Sequence, residues 1–318
     1  MFYRLSKIFF LTMIFLSFLV VDSYAQQPIQ RTLDKQSQQF LEGASKYTMI
    51  AKHPITPLKK TEDLKIYGAS GTIPIRIYTP RGKGPFPVVL YFAGGGWVSG
   101  DLNSNDSICR EMCSQTECLI VSVEYHKAPT YPFPHALEDL YTALLWTEAN
   151  IHNYEGQTSW IAVSGDSAGG NLAAALTLLT RDRKGPELQC QVLMYPVTNY
   201  CFETHSYYQN AKGYGLTKDR MKEFWGHYLQ KANGKNPYVS PLQGDLTNLP
   251  SAFILTAEFD PLRDDGLAYA HQLNNYGVPV VLKNYPTIHA FISHAYYIDL
   301  GKQGLKDIAA YLKEQYAK

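Results

Sequence analysis

The chain has 318 residues, of which 45% are apolar, and it carries 29 Lys and Arg against 28 Asp and Glu, a formal net charge of +1. This length supplies one large hydrophobic core and is too short for two independent domains of enzyme size. The balanced charge provides no electrostatic attraction to nucleic acid or to an anionic membrane surface, so neither is an expected partner.

The first 25 residues have the three parts of a secretory signal peptide. Arg4 and Lys7 give a basic start, residues 8–21 form an apolar run, and Ser23-Tyr24-Ala25 is a small-x-small cleavage site. The apolar run is shorter than the roughly 20 residues that span a bilayer, which argues against an uncleaved anchor. We therefore expect cleavage before Gln26 and an exported mature chain, periplasmic or secreted, without stable membrane insertion.

The sequence beyond the signal peptide predicts a parallel sheet covered by helices. Between Leu64 and Tyr78, apolar positions alternate with others on both sides of Gly68 to Gly71, as in a hairpin at a sheet edge. After it, short apolar runs alternate with helical stretches such as Asp139 to Ala149 and Gly170 to Thr180, which is typical of strands buried on both faces. The runs are residues 87–92, 119–123, 160–163, 192–195, 252–256 and 278–282. The predicted fold class is α/β, doubly wound.

Residues 198–249 interrupt this alternation. The segment lies between two predicted strands and is far longer than an ordinary connection. It has helical character only around Lys218 to Leu229. We predict that it forms a small cap.

Five cysteines follow the signal peptide, and an exported chain can form disulfides. They are Cys109, Cys113, Cys118, Cys190 and Cys201. Because their number is odd, at least one thiol stays unpaired or pairs between chains, and the sequence does not assign the pairing. Their spacing matches no zinc pattern, so no metal site is predicted.

A glycine-rich turn between a predicted strand and a predicted helix contains the best candidate nucleophile. Gly165-Asp166-Ser167-Ala168-Gly169 has the form G-x-S-x-G in the strand-turn-helix context that a serine nucleophile requires. The glycines permit a sharp turn, and the helix N-terminus favours negative charge that develops at Ser167. A turn capped by a serine without chemistry is the alternative, but both flanking elements favour the catalytic interpretation.

A second glycine-rich loop follows the strand at residues 87–92. Gly94, Gly95 and Gly96 expose consecutive backbone N–H groups at the carboxyl edge of the sheet, where ligands bind in open α/β folds. A tetrahedral oxyanion needs such donors, and the loss of one costs about 10²- to 10³-fold in rate. We predict an oxyanion hole formed by the N–H groups of Gly94, Gly95 and Ala168.

A serine nucleophile of this kind acts together with an acid and a histidine. Chain order selects the acid, because it follows the serine and precedes the histidine. Asp260 comes at the end of the strand at 252–256, where a carboxylate can hold an imidazole in the correct tautomer. Glu258 is the alternative.

The same order selects the base. His271 lies inside a predicted helix, whereas His289 comes soon after the last strand, in a loop from which an imidazole can reach back over the sheet. His294 is the alternative. The predicted catalytic residues are therefore Ser167, Asp260 and His289.

Five segments carry a distinctive combination of motifs. They are AGGGWVSGD at 93–101, YHKAPTYPFPHALED at 125–139, GDSAGGNLAA at 165–174, AEFDPLRDDG at 257–266 and IHAF at 288–291. Together they resemble the hormone-sensitive lipase-like branch of the α/β-hydrolases, which includes bacterial carboxylesterases and arylacetamide-deacetylase-like enzymes. The resemblance implies the α/β-hydrolase fold, with a cap from about residues 26–60 and about 198–249. It also implies a serine carboxylesterase that acts on a small-molecule ester without a cofactor.

One position departs from the family pattern, since Ala93 stands where the oxyanion motif of the family usually begins with histidine. The glycine N–H donors remain, so we expect reduced rather than abolished activity on short-acyl esters. Two alternatives stay open: an amidase or deacetylase on the same triad, and a weakly active or inactive binding relative. The sequence defines neither the natural ester nor the oligomeric state.

Overall fold

The computed structural model describes residues 31–47 and 55–318. The predicted signal peptide and parts of the predicted N-terminal cap segment lie outside these residues. Residues Leu33–Lys318 form one compact unit. In the described part of the chain, no helix combines the length and the apolar character that a membrane span requires.

One eight-stranded sheet organises the described chain. Its strands are β1 Lys60–Gly68, β2 Gly71–Thr79, β3 Phe86–Phe92, β4 Leu119–Val123, β5 Gly156–Asp166, β6 Cys190–Met194, β7 Ser251–Phe259 and β8 Val280–Ile288, in the order β1-β2-β4-β3-β5-β6-β7-β8. β2 pairs antiparallel with β1 and β4, and all other neighbours are parallel. The predicted mostly parallel sheet, with a hairpin at its edge, is confirmed.

Helices cover both faces of this sheet. They are α1 Lys35–Tyr47, α2 Asp106–Thr116, α3 His135–Asn150, α4 Ala168–Asp182, α5 His205–Gln209, α6 Lys218–Leu229, α7 Arg263–Asn275 and α8 Asp299–Tyr316. The core cluster on one face includes buried side chains of α3, α4 and α7, and the cluster on the other face includes those of α2 and α8. The predicted α/β layering is confirmed.

Strand β3 shows why the predicted strands are apolar throughout. All seven of its residues are buried. Val88 and Leu90 belong to one core cluster, while Val89 and Tyr91 belong to the other. A strand between two helical layers has no solvent face, so its sequence shows no polar alternation.

Strand β8 differs from its prediction. The apolar run at 278–282 suggested burial on both faces, but Val281 is 43% exposed and Leu282 is 41% exposed. That interpretation is wrong because β8 is an edge strand that pairs with β7 alone in the described sheet. The strand also continues to Ile288, so it carries the chain directly to His289.

The insertion at 198–249 contains more helix than predicted. α6 has the predicted bounds, and Thr217 caps it by accepting a hydrogen bond from the Arg220 N–H. The sequence predicted helix in this insertion only around Lys218 to Leu229. That expectation is wrong, because a second helix, α5, forms a single turn whose N-terminus is capped by Thr204. A five-residue helix contains too few residues for a periodic apolar pattern.

The five cysteines form no disulfide. All are free thiols, and Cys109, Cys113, Cys118 and Cys190 are buried. Burial raises the pKa of each of these four thiols, because the thiolate would lose its hydration. Their side chains therefore act as small apolar groups of the core.

Asp265 anchors the start of the insertion to helix α7. Its carboxylate is almost fully buried, and Oδ2 accepts hydrogen bonds from the backbone N–H groups of Thr198 at 3.0 Å and Asn199 at 3.3 Å. Burial raises the pKa of this carboxyl to about 8. The folded protein therefore holds a proton at Asp265 that an unfolded chain releases near pH 4.

We expect this proton to make stability fall as pH rises. Between about pH 4 and about pH 8 the folded state binds one proton more than the unfolded state, so the free energy of unfolding decreases across that window. The substitution Asp265→Asn removes this slope and keeps an oxygen for the Thr198 and Asn199 amides. Denaturant unfolding at several pH values measures both proteins. Parallel curves for the two proteins would contradict the expectation.

Candidate active site

Ser167 occupies a strained turn between β5 and α4. Its backbone has φ 54° and ψ −117°, a region that residues with a side chain rarely adopt. The Ser167 N–H donates a hydrogen bond to the Met194 carbonyl at 2.9 Å, which holds the turn against the end of β6. Such strain persists only where the surrounding structure enforces it, and it occurs most often at functional sites.

Glycine is required on the helix side of this turn. A Cβ atom on Gly169 would lie 2.0 Å from the carbonyl oxygen of Phe92, the last residue of β3. The N-terminus of α4 therefore touches the carboxyl end of β3. This contact places the loop that follows Phe92 beside Ser167.

The three predicted catalytic side chains meet at this edge of the sheet. His289 Nε2 lies 3.0 Å from Ser167 Oγ, and His289 Nδ1 lies 2.6 Å from Asp260 Oδ2. Asp260 has no exposed surface, and its Oδ1 accepts the Leu262 N–H at 2.8 Å. An ionised carboxylate only accepts, so the imidazole proton lies on Nδ1 and Nε2 is free to accept the serine proton.

The alternative acid has another partner. Glu258 accepts hydrogen bonds from the Arg263 guanidinium at 2.7 Å and from the Asn284 amide at 2.9 Å. Neither of these partners is an imidazole. The alternative base, His294, packs its ring against Phe40 at 4.3 Å between centroids. The geometry therefore favours Asp260 and His289 over both alternatives.

The predicted oxyanion donors need one correction. The Gly94 N–H donates to the Asp166 carboxylate at 2.8 Å, so the prediction of Gly94 is wrong, because a single N–H held by a buried carboxylate cannot also bind an oxyanion. Gly95 and Ala168 stay predicted donors, and Gly96 is a further candidate. Within residues 31–47 and 55–318, the N–H groups of these three residues have no hydrogen-bond acceptor.

A buried network holds the oxyanion loop, although Ala93 replaces the histidine of the family. The Tyr91 hydroxyl donates to Asp166 Oδ1 at 2.6 Å, on the same oxygen that accepts the Gly94 N–H. The Tyr125 hydroxyl donates to the Ala93 carbonyl at 2.8 Å. Burial raises the pKa of Asp166, while its two donors favour the ionised form. Sequence analysis missed Tyr91 and Tyr125 because a tyrosine in an apolar strand or loop resembles ordinary core.

Aromatic residues of the cap close the far side of this loop. The ring of Trp97 stacks on Tyr228 at 4.4 Å between centroids, with the planes 3° apart. A Cβ atom on Gly96 would lie 2.4 Å from the ring of Phe224, so α6 presses against the loop. The Phe224 ring therefore packs directly on the backbone of Gly96.

Comparison with known proteins agrees with this geometry. Residues 89–293 match a family model described as alpha/beta hydrolase fold. The chain belongs to this family. It is 38% identical over 253 residues to a carboxylesterase of Mycobacterium tuberculosis, covering 76% of this chain and 79% of that one. It is 33% identical over 260 residues to the ethyl acetate hydrolase of Pseudomonas putida, covering 79% and 82%.

A solved structure extends the comparison beyond sequence. The hyperthermophilic esterase of the archaeon Pyrobaculum calidifontis matches this α/β-hydrolase with a TM-score of 0.80 at 37% identity, covering 89% of this chain and 92% of that one. The predicted α/β-hydrolase fold, the hormone-sensitive lipase-like family and the carboxylesterase type of enzyme are confirmed.

The substitution Tyr91→Phe tests the network under the oxyanion loop. The Asp166 carboxylate then loses one of its two donors, and we expect the free energy of unfolding to fall by about 1–3 kcal/mol. We also expect kcat for p-nitrophenyl acetate to fall about 10-fold, because the loop is held less firmly and a displacement of 1 Å can cost about 10²-fold.

Tyr78→Phe is the matched control. Tyr78 is equally buried in strand β2 and donates to Asp106 at 3.0 Å, away from the Ser167 turn. We expect a similar loss of stability without the loss of kcat. Equal kcat values in the two variants would show that the Tyr91 hydroxyl does not position the loop.

Proposed function

We propose that this α/β-hydrolase cleaves small carboxylic esters with short acyl chains through an acyl-enzyme on Ser167. The observation that carries the proposal is a pair of hydrogen bonds through one imidazole. Ser167 Oγ lies 3.0 Å from His289 Nε2, and His289 Nδ1 lies 2.6 Å from Asp260 Oδ2. The names of the carboxylesterase and ethyl acetate hydrolase relatives support the reaction class.

Acylation begins when Ser167 Oγ attacks the ester carbonyl carbon. His289 Nε2 takes the serine proton, and the Asp260 carboxylate holds the Nδ1–H and stabilises the imidazolium. The N–H groups of Gly95, Gly96 and Ala168 donate to the oxyanion. When the tetrahedral intermediate collapses, the imidazolium gives its proton to the departing alcohol and leaves the acyl group on the serine oxygen.

Deacylation repeats these steps with water in place of Ser167. His289 takes a proton from the water as it attacks the acyl carbon, and the same three amides hold the second oxyanion. Collapse releases the carboxylic acid and returns the proton to Ser167 Oγ. The cycle uses side chains and amides of this chain together with one water molecule.

Two observations support a preference for short acyl chains. The Phe224 ring lies against Gly96, so cap helix α6 narrows the space next to the proposed oxyanion hole. The relative from Pseudomonas putida is named for a two-carbon acyl substrate. Because Tyr125 and Asp166 hold the loop, the absence of the family histidine at Ala93 is compatible with turnover.

A series of p-nitrophenyl esters from acetyl to palmitoyl tests this proposal on residues 26–318. We expect kcat/KM to be highest for the shortest acyl groups and to fall with chain length. Ser167→Ala removes the nucleophile, and we expect a loss of about 10⁶-fold in kcat. A folded wild-type protein that hydrolyses none of the esters, and whose Ser167 a fluorophosphonate probe does not label, would contradict the proposal in favour of a binding role.

We also propose that the chain is exported and that residues 1–25 are removed. The basic start, the apolar run and the Ser23-Tyr24-Ala25 site support this proposal. Mass spectrometry of the protein from a bacterial host should give a mature chain that begins at Gln26 in the periplasm or medium. A chain that keeps Met1 in the cytoplasm would contradict it.

A further inference from the structure

The acid loop projects beyond the sheet that supports it. The pairing of β7 with β8 ends at Phe259 and Ile288, so Asp260 has no neighbour in the strand ladder. Its side chain must nevertheless keep Oδ2 within 2.6 Å of His289 Nδ1. Other contacts therefore have to hold the backbone of the acid loop, residues 258–264.

The cap provides one such contact through Asn210, the residue that follows helix α5. The Asn210 side-chain amide donates to the Glu258 carbonyl at 3.1 Å and to the Asp260 carbonyl at 2.9 Å. Asn210 has no exposed surface. One planar amide thus bridges the two carbonyls that flank Phe259, at the point where the strand ends.

Ser206 provides the second contact, one helical turn earlier. Its hydroxyl donates to the Pro261 carbonyl at 2.6 Å and accepts the Asp264 N–H at 3.2 Å. The Ser206 N–H donates to Asp264 Oδ2 at 2.7 Å. Ser206 is also fully buried. These two residues thus make five hydrogen bonds to the acid loop.

We infer that Ser206 and Asn210 are positioning residues for the acid of the triad, an inference that rests on the proposed function of Asp260. They act through the backbone on both sides of Asp260, since the five hydrogen bonds described above go to the acid loop and not to His289. Because buried backbone groups that lose a partner move to find another, removal of either side chain displaces the Asp260 carboxylate from His289. The cap therefore takes part in catalysis by holding the acid.

The chain contains a matched control for a merely structural role. Ser240 lies in the same insertion, is fully buried, donates its hydroxyl to the Gly234 carbonyl at 2.6 Å and accepts the Tyr200 N–H at 2.8 Å. Its hydrogen bonds are of the same kind as those of Ser206. They stay within the insertion and do not reach the acid loop.

The experiment compares Ser206→Ala and Asn210→Ala with Ser240→Ala. We expect all three variants to show a lowered Tm, and only the first two to show kcat for p-nitrophenyl acetate reduced about 10- to 100-fold with KM little changed. We also expect the low-field proton resonance of the His289–Asp260 hydrogen bond to shift or broaden in those two variants alone. The measurement of this resonance needs no substrate.

The outcomes separate the two proposals. If the wild-type protein hydrolyses the ester and Ser206→Ala and Asn210→Ala match Ser240→Ala in kcat and in the proton resonance, the positioning role is overturned while the esterase function stands. If the wild-type protein hydrolyses nothing, the proposed function fails and the inference about catalysis fails with it. Ser206→Ala removes a single oxygen atom, so it gives a result even where Asn210→Ala does not fold.

Discussion

The close approach of α4 to β3 determines where the nucleophile lies relative to the loop that follows β3. Because Gly169 has no side chain, the helix N-terminus contacts the Phe92 carbonyl, and the chain between β5 and α4 must turn sharply at Ser167. The turn points the serine toward the loop that follows β3 and leaves the Ala168 amide without an acceptor in the described chain. A side chain at Gly169 would separate the helix from the strand, and the nucleophile would then lose its place beside the oxyanion loop.

Much of this arrangement follows from the sequence, because parallel strands buried on both faces have a distinctive apolar pattern. Once the strands are located, chain order assigns Ser167, Asp260 and His289 to the ends of three parallel strands at one edge of the sheet. The structure brings these three side chains within hydrogen-bond distance of one another. The meeting of these three side chains could be predicted because each of them follows a recognisable strand.

The predictions that were wrong or missing concern features that depend on tertiary contacts rather than on local sequence. Three consecutive glycines offer equivalent N–H groups in the sequence, and only the tertiary contact with Asp166 decides that Gly94 is engaged while Gly96 is not. The run at 278–282 is as apolar as an inner strand, but Val281 and Leu282 are exposed because the described sheet has no further strand beside β8. Ser206 and Asn210 carry no local signal either, because their partners are about 50 residues away in the chain.

The cap is in contact with both halves of the catalytic apparatus. Helix α6 places Phe224 against Gly96 in the loop after β3. Ser206 of helix α5 and the following residue, Asn210, bind the backbone around Asp260. An insertion that only covered a binding cleft could vary freely in sequence and position. An insertion that touches the oxyanion loop and the acid loop at once cannot shift without changing the distance between the charges that develop during acylation. The packing of the cap against Gly96 and the position of the Asp260 backbone are therefore physically coupled through the same insertion.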